Sequence, residues 1–324
     1  MALPTTDEAT FLALYEQHGR NATELARALG VSLRNTQARL ARIERDSGVA
    51  IRPHKVRANV TPSYRPNVID MPNGTFIAFS DAHFQNGDGA RTPAFRGLVK
   101  LCKILAPDMV MDVGDSLDGA TISRHGPLGW HQPQSMKEEL EACRMHLEEI
   151  RHASRGATHL ACLGNHDDRL ANYLANNAAA LRGVAGMTLD EQLPGWSRNY
   201  AWFMNNNTLF THKIRNGIHA TWSNVQETHT SVFTGHSHKL ILRPRTTLSP
   251  VNNNTVWSCE TGTLANPWSD PFTYAQQGPR DWMSGFVVGS VQRGIPLPPE
   301  IAWVVQDGDP GEALVFFRGQ LIAV

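Results

Sequence analysis

The chain has 324 residues, 41% of them hydrophobic, and its 30 Lys and Arg balance 30 Asp and Glu. That length suggests two domains, or one large domain with an appendage, and the hydrophobic share supplies a sizeable core. A formal net charge of zero excludes a global basic field, so any nucleic-acid contact must come from a local patch.

Residues 1–48 read as a small helical domain. Thr5 and Glu8 fit a capping box ahead of an apolar stripe of Phe11, Leu12, Leu14 and Tyr15. A second helix is predicted from about Asn21 to Leu29, closed by Gly30 as a left-handed C-cap. Ser32 can cap a third helix carrying Leu33, Ala38, Leu40 and Ile43 and ending near Gly48. The segment Leu25–Ser32 resembles the turn of helix-turn-helix DNA-binding modules, in which the next helix enters the major groove. Its candidates for DNA contact are Arg34, Asn35, Gln37 and Arg39, since arginine and the amides can bond base edges in pairs. A plain three-helix bundle that docks on a partner or on the main domain is the competing reading.

Residues 49–72 read as a linker, with Pro53, Pro62, Pro66 and Pro72 opposing regular structure and Arg52, Lys55, Arg57 and Arg65 between them. Residues 73–324 read as the main domain. Strands are predicted at 75–80, 109–113, 158–163, 208–211 and 231–234, with helices at 93–105, at 135–153, and around Leu170, Leu174 and Leu181. The alternation implies a largely parallel, layered α/β sheet. From Val256 on the chain looks β-rich, with strands at 285–288 and 302–305. The cysteines Cys102, Cys143, Cys162 and Cys259 form no C-x-x-C pair and read as buried thiols in a reducing compartment. No signal features and no run of roughly 18 apolar residues point to export or a bilayer, so a cytoplasmic protein is expected.

Five polar clusters follow these strands. They are Asp81-Ala82-His83, Gly114-Asp115-Ser116-Leu117-Asp118, Gly164-Asn165-His166-Asp167, His212, and Gly235-His236-Ser237-His238. All five fall at the carboxyl ends of strands, where α/β sheets gather their ligands. Their Asp, His and Asn side chains are enough to hold two metal ions, and two adjacent cations over a cleft can cleave phosphate esters.

In this order the clusters resemble the calcineurin-like metallophosphoesterases. The stretch from Gly164 to Leu170 also looks like family members found in phages and prophages, and the final GHxH is closer to the phosphodiesterase and nuclease branches. Gly119 stands where the Ser/Thr protein phosphatases of the family carry an arginine. The resemblance implies a two-sheet α/β sandwich flanked by helices, with a dinuclear site at its edge. It implies that Asp81, His83 and His238 hold one metal, that Asn165, His212 and His236 hold the other, and that Asp115 bridges them. It further implies in-line attack on phosphorus by a hydroxide held at the metals, with His166 serving the leaving oxygen and Asp118 orienting that histidine. Imidazole with carboxylate suits Mn²⁺ first, with Fe, Zn²⁺ or Ni²⁺ next, ahead of an all-oxygen Mg²⁺ site. Arg124, His125 and Arg169 are candidates for substrate contact.

The expectation is therefore a metal-dependent phosphodiesterase, a nuclease acting on DNA that the helical module delivers. The alternatives are a phosphatase or cyclic-nucleotide phosphodiesterase acting on small molecules, and a DNA-binding regulator with a non-catalytic phosphoesterase domain.

Overall fold

A computed structural model describes residues 6–47, 51, 65–86, 91–124, 133–247, 254–267, 272, 281–306 and 313–324. The chain divides into two compact units, Met1–Lys55 and Val56–Val324.

The first unit holds α1 (Glu8–Gln17), α2 (Ala22–Leu29) and α3 (Leu33–Ser47) around Phe11, Tyr15, Leu25, Leu40 and Ile43. Asp7 caps α1 by accepting from the Thr10 N–H at 2.9 Å, in place of the capping box expected at Thr5, which lies outside the described residues. Gly30 ends α2 at φ +66°, and the Ser32 hydroxyl accepts from the Asn35 N–H at 3.1 Å. On α3 the buried face is Thr36, Leu40 and Ile43, while Leu33 and Ala38, expected on the apolar stripe, are exposed. Arg34, Asn35 and Gln37 are also exposed. Arg39 is not free for DNA in the same way. Its guanidinium lies 4.2 Å from the Phe11 ring centroid and donates to the Thr6 carbonyl, so it helps hold the unit together.

The second unit runs β1 (Asn67–Ile69), β2 (Asn73–Phe79), α4 (Pro93–Leu105), β3 (Met109–Asp112), α5 (Met136–Ala153), β4 (Thr158–Cys162), α6 (Asp168–Asn177) and α7 (Leu189–Gln192). It continues β5 (Ser197–Asn199), β6 (Ala201–Met204), β7 (Thr208–Thr211), α8 (Ala220–Thr228), β8 (Ser231–Thr234), β9 (Leu240–Thr246) and β10 (Thr255–Thr261). It closes with β11 (Gly285–Gln292), β12 (Ile295–Pro296), β13 (Glu300–Gln306), β14 (Ala313–Phe317) and β15 (Gln320–Ala323). The strands form a nine-stranded sheet, β15-β14-β13-β11-β2-β3-β4-β5 with β12 on β11, and a six-stranded sheet, β1-β6-β7-β8-β10-β9.

Both sheets are mixed rather than largely parallel. In the first, β2, β3, β4 and β5 run parallel while β11 to β15 pair antiparallel. In the second, β7, β8 and β10 run parallel, flanked by the antiparallel β6 and β9. Residues 67–71, read as the end of a linker, instead contribute β1, which pairs with β6, and the buried Ile69 and Met71.

Strand β2 shows how the layers arise. Phe76 and Ala78 enter a core that draws on both sheets, with Met111, Trp202, Phe210, Phe233 and Val287. Ile77 and Phe79 face the other way into a core shared with Leu98 of α4 and Cys143 and Leu147 of α5. Alternate residues point to opposite faces, and both faces are covered, so the strand reads as one continuous apolar run. Helix α5 begins with a complete capping box between Ser135 and Glu138. Helix α6 buries no side chain, although Leu170, Leu174 and Leu181 predict an apolar stripe; Leu181 lies beyond its end in a 3₁₀ turn and is exposed. All four cysteines are buried and unpaired.

Candidate metal centre

Strands β2, β3 and β4 end side by side, with Phe79 opposite Asp112 and Asp112 opposite Ala161. Asp81, Asp115 and Asn165 follow within three residues of these ends. His212 and His236 follow the ends of the parallel pair β7 and β8 on the other sheet. The backbone there is unusual. Asp81, His83, Asp115, His236 and His238 all adopt positive φ, between +41° and +72°. Non-glycine residues avoid this region, at a cost of roughly 1–3 kcal/mol each, and persist there when surrounding bonds fix them. Those bonds are present. The Asp81 N–H donates to the Gly114 carbonyl at 2.9 Å, the His83 N–H to the Asp115 carbonyl at 3.0 Å, and the His236 N–H to the Asp81 carboxylate at 2.9 Å. A Cβ at Gly164 would lie 2.1 Å from Asp115 Oδ1, and one at Gly235 would lie 2.6 Å from the Ser80 side chain. Only glycine lets the GN and GH turns come this close to the neighbouring strand ends.

Among the described residues, three groups bring their ligand atoms within 4.8 Å of one another: Asp81, His83 and His238; His83, Asp118 and His166; and Asp115, His212 and His236. Asn165 sits between Gly164 and His166 and is exposed; the His166 N–H donates to Asp115 Oδ1 at 2.8 Å. His212 Nδ1 lies 2.9 Å from the Val113 carbonyl, which can only accept, so Nδ1 carries a proton and Nε2 is the ring atom turned toward Asp115. That Nε2 is 2.9 Å from Asp115 Oδ2 but is not aligned with it as a hydrogen bond. His83 Nε2, His212 Nε2 and His238 Nδ1 are buried without hydrogen-bond partners among the described residues. An unsatisfied buried polar atom costs about 1–3 kcal/mol, so three in one cluster fit coordination to a cation. The donor set of imidazoles and carboxylates fits the same divalent ions.

The charges sort themselves within the cluster. Burial pushes the Asp81 carboxyl up to about 6, with Asp115 adding and His212 and His83 opposing. Burial also works against charge on Asp115, but His212, His166 and His83 overcome it and hold that carboxyl well below the usual range. Likewise burial opposes a charge on His212, yet the adjacent Asp115 raises it to about 10. Burial and the charges of His212 and Lys213 bring His236 down to about 4, and burial with His83 depresses His238 well below its ordinary value. His236 and His238 are thus neutral, the form that can coordinate a cation.

His166 Nδ1 lies 2.8 Å from Asp118 Oδ1, so this ring nitrogen donates to the carboxylate. Arg169 donates to the Asp118 carbonyl at 2.7 Å and reaches His166 Nε2 at 3.2 Å. Arg124 and Arg169 line a cleft together with Asn165, whereas His125 lies outside the described residues. The aromatic residues near 200 serve the fold: Trp202 donates to the Ala161 carbonyl at 2.9 Å, and Tyr200 to Asp168 at 3.0 Å.

Several residues that hold this arrangement escape a reading of the sequence. Asp167 accepts from the N–H groups of Asp115, Gly164 and Leu117 at 2.7, 2.9 and 3.1 Å. Asp112 accepts from the Gly114 N–H at 2.9 Å and the Ser116 hydroxyl at 2.6 Å. Glu139 of α5 accepts from the N–H groups of Gly119 and Ala120, holding the turn after Asp118. Phe272 stands edge-on to His83 at 5.1 Å, and Trp282 lies 4.0 Å from His238, centroid to centroid. The fourth residue of GNHD was the one available signal, for Asp167; nothing in the sequence marks the others.

Fold and site together define a mixed α/β protein whose two sheets end in buried Asp and His groups that could hold metal ions. No family model matches the chain. It is similar to the Gene 54 protein of Mycobacterium phage L5, 27% identical over 231 residues that span 61% of this chain and 82% of the relative. It is also similar to the Gene 54 protein of Mycobacterium phage D29, 26% identical over 226 residues with the same shares. Among the described residues no helix is long and apolar enough to cross a membrane.

Proposed function

We propose that the chain is a dinuclear metal-dependent phosphodiester hydrolase of the calcineurin-like type, a nuclease acting on DNA in the cytoplasm of a phage-infected or prophage-bearing cell. The observation that carries this reading is the meeting of the Asp81–His83–His238 and Asp115–His212–His236 groups beside the His166–Asp118 couple. In this reading Asp81, His83 and His238 hold one cation, Asn165, His212 and His236 hold the second, and Asp115 joins the two. Mn²⁺ is the first choice. The cations, when bound, supply Lewis-acid polarisation of the phosphoryl group and a water that ionises near neutral pH.

The remaining work falls to the chain. His166 directs its Nδ1 proton to Asp118, and a second proton taken up at Nε2, which faces Arg169 here, would pass to the leaving oxygen as general acid. Arg169, beside that Nε2, neutralises a phosphoryl oxygen through its guanidinium. The first unit brings DNA through Arg34, Asn35 and Gln37.

The test is one panel with Mn²⁺-loaded and chelator-treated protein on single- and double-stranded DNA, RNA, bis(p-nitrophenyl) phosphate and p-nitrophenyl phosphate. Metal-dependent cleavage of DNA and of the diester is expected. Protein that carries two metals and hydrolyses none of the five would contradict the reading.

A further inference from the structure

Beside the metal centre lies a cleft of about 700 Å³, walled by the 3₁₀ turn at Ala120–Ile122 with the residues after it, and by helix α6. Asn165 lines one part of it, and the helix supplies Arg169, Asn172, Tyr173, Asn176 and Asn177. Among the described residues the lining has a consistent chemistry: carboxamides, a hydroxyl-bearing turn, the guanidiniums of Arg124 and Arg169, and no carboxylate. Arg169, Asn172 and Asn176 follow one another at three and four residues, so they share one helix face, and Tyr173 and Asn177 flank it.

The helix does not carry these residues for its own sake. Asparagine is among the weaker helix formers, yet three sit on a ten-residue helix that buries nothing. Asn176 and Asn177 each spend one amide hydrogen on the helix carbonyl four residues back. Tyr173 is 44% exposed and lines the cleft, so its ring is open to a partner there.

We propose that this cleft binds an unpaired nucleic-acid strand leading to or from the scissile phosphate. The inference rests on the phosphodiesterase reading and adds to it the form of the substrate. An unpaired strand has what the cleft answers: exposed base faces for Tyr173 to stack on, free base edges for the asparagine amides, and phosphates for Arg124 and Arg169. A duplex keeps its base faces inside the stack and out of reach of Tyr173. A small phosphomonoester would leave Asn172, Tyr173 and Asn176 untouched.

The experiment uses the full chain with a single-stranded DNA oligonucleotide carrying 5-bromodeoxyuridine, in chelator, so that the strand stays intact. Irradiation is expected to cross-link the oligonucleotide to the peptide containing residues 168–177. The variant Asn172→Ala, Tyr173→Ala, Asn176→Ala is expected to lose that cross-link. It replaces exposed residues with a better helix former, so it should melt no lower than the parent. With Mn²⁺, the same variant should raise KM for the oligonucleotide at least tenfold and leave bis(p-nitrophenyl) phosphate hydrolysis within about twofold of the parent. Cross-links absent, or confined to residues 21–47, would overturn the proposal, as would an unchanged KM. Diester hydrolysis without the α6 cross-link removes the cleft inference alone. A protein that hydrolyses no phosphodiester removes the reading beneath it, whatever the cross-link shows.

Discussion

The two Asp–His groups at the strand ends are built from the same residue types but differ in enclosure. Asp81, His83 and His238 are all buried, and the rings of Phe272 and Trp282 lie against the two histidines. In the group of Asp115, His212 and His236 the last residue is only half-buried, and the adjoining Asn165 faces the cleft along α6. The closed group resembles a fixed socket, and the open one resembles the place where substrate arrives. On the proposed reading, the difference predicts a tight cation at the closed group and an exchangeable one at the open group, with Asp115 shared between them.

The sharpest way to break that division is Asp115→Ala. It should empty both positions after desalting and bring phosphodiester hydrolysis to background; two metals retained by elemental analysis would show that Asp115 is not shared. His166→Ala should keep both metals and lower turnover by about 10²–10⁴-fold, as the loss of a general acid does. A smaller effect follows from Asp167→Asn. It would set an amide against backbone N–H groups that now meet carboxylate oxygens. Metal affinity should fall by about 10–100-fold with ligands intact, read by titration; an unchanged affinity would reduce Asp167 to a spectator.

What the sequence reveals of this site depends on how local the signal is. The strands before Asp81, Asp115, Asn165, His212 and His236 are short apolar runs, and the polar cluster after each is visible because it interrupts the run. Gly164 and Gly235 are legible as turns, but that Asp115 and Ser80 occupy the space of their missing side chains is a fact of tertiary packing. Glu139 looks like an ordinary helix carboxylate, since the N–H groups it accepts from, those of Gly119 and Ala120, lie on a turn distant in the chain. The left-handed backbone at five of the site residues leaves no trace in residue type, because Asp and His also occupy strands and helices freely. Strand β1 was hidden by Pro66 and Pro72 on either side of it. The leucines that mark α6 in the sequence do not bury it: Leu170 and Leu174 are only half-buried.

The central claim is that two cations occupy these groups with unequal strength. Calorimetric titration of metal-free protein with Mn²⁺ tests it most directly, with His236→Ala and His238→Ala alongside. The account gives two binding steps for the parent, loss of the weaker step in His236→Ala, and loss of the stronger step in His238→Ala. A single step in the parent, or two steps that neither substitution disturbs, would contradict it.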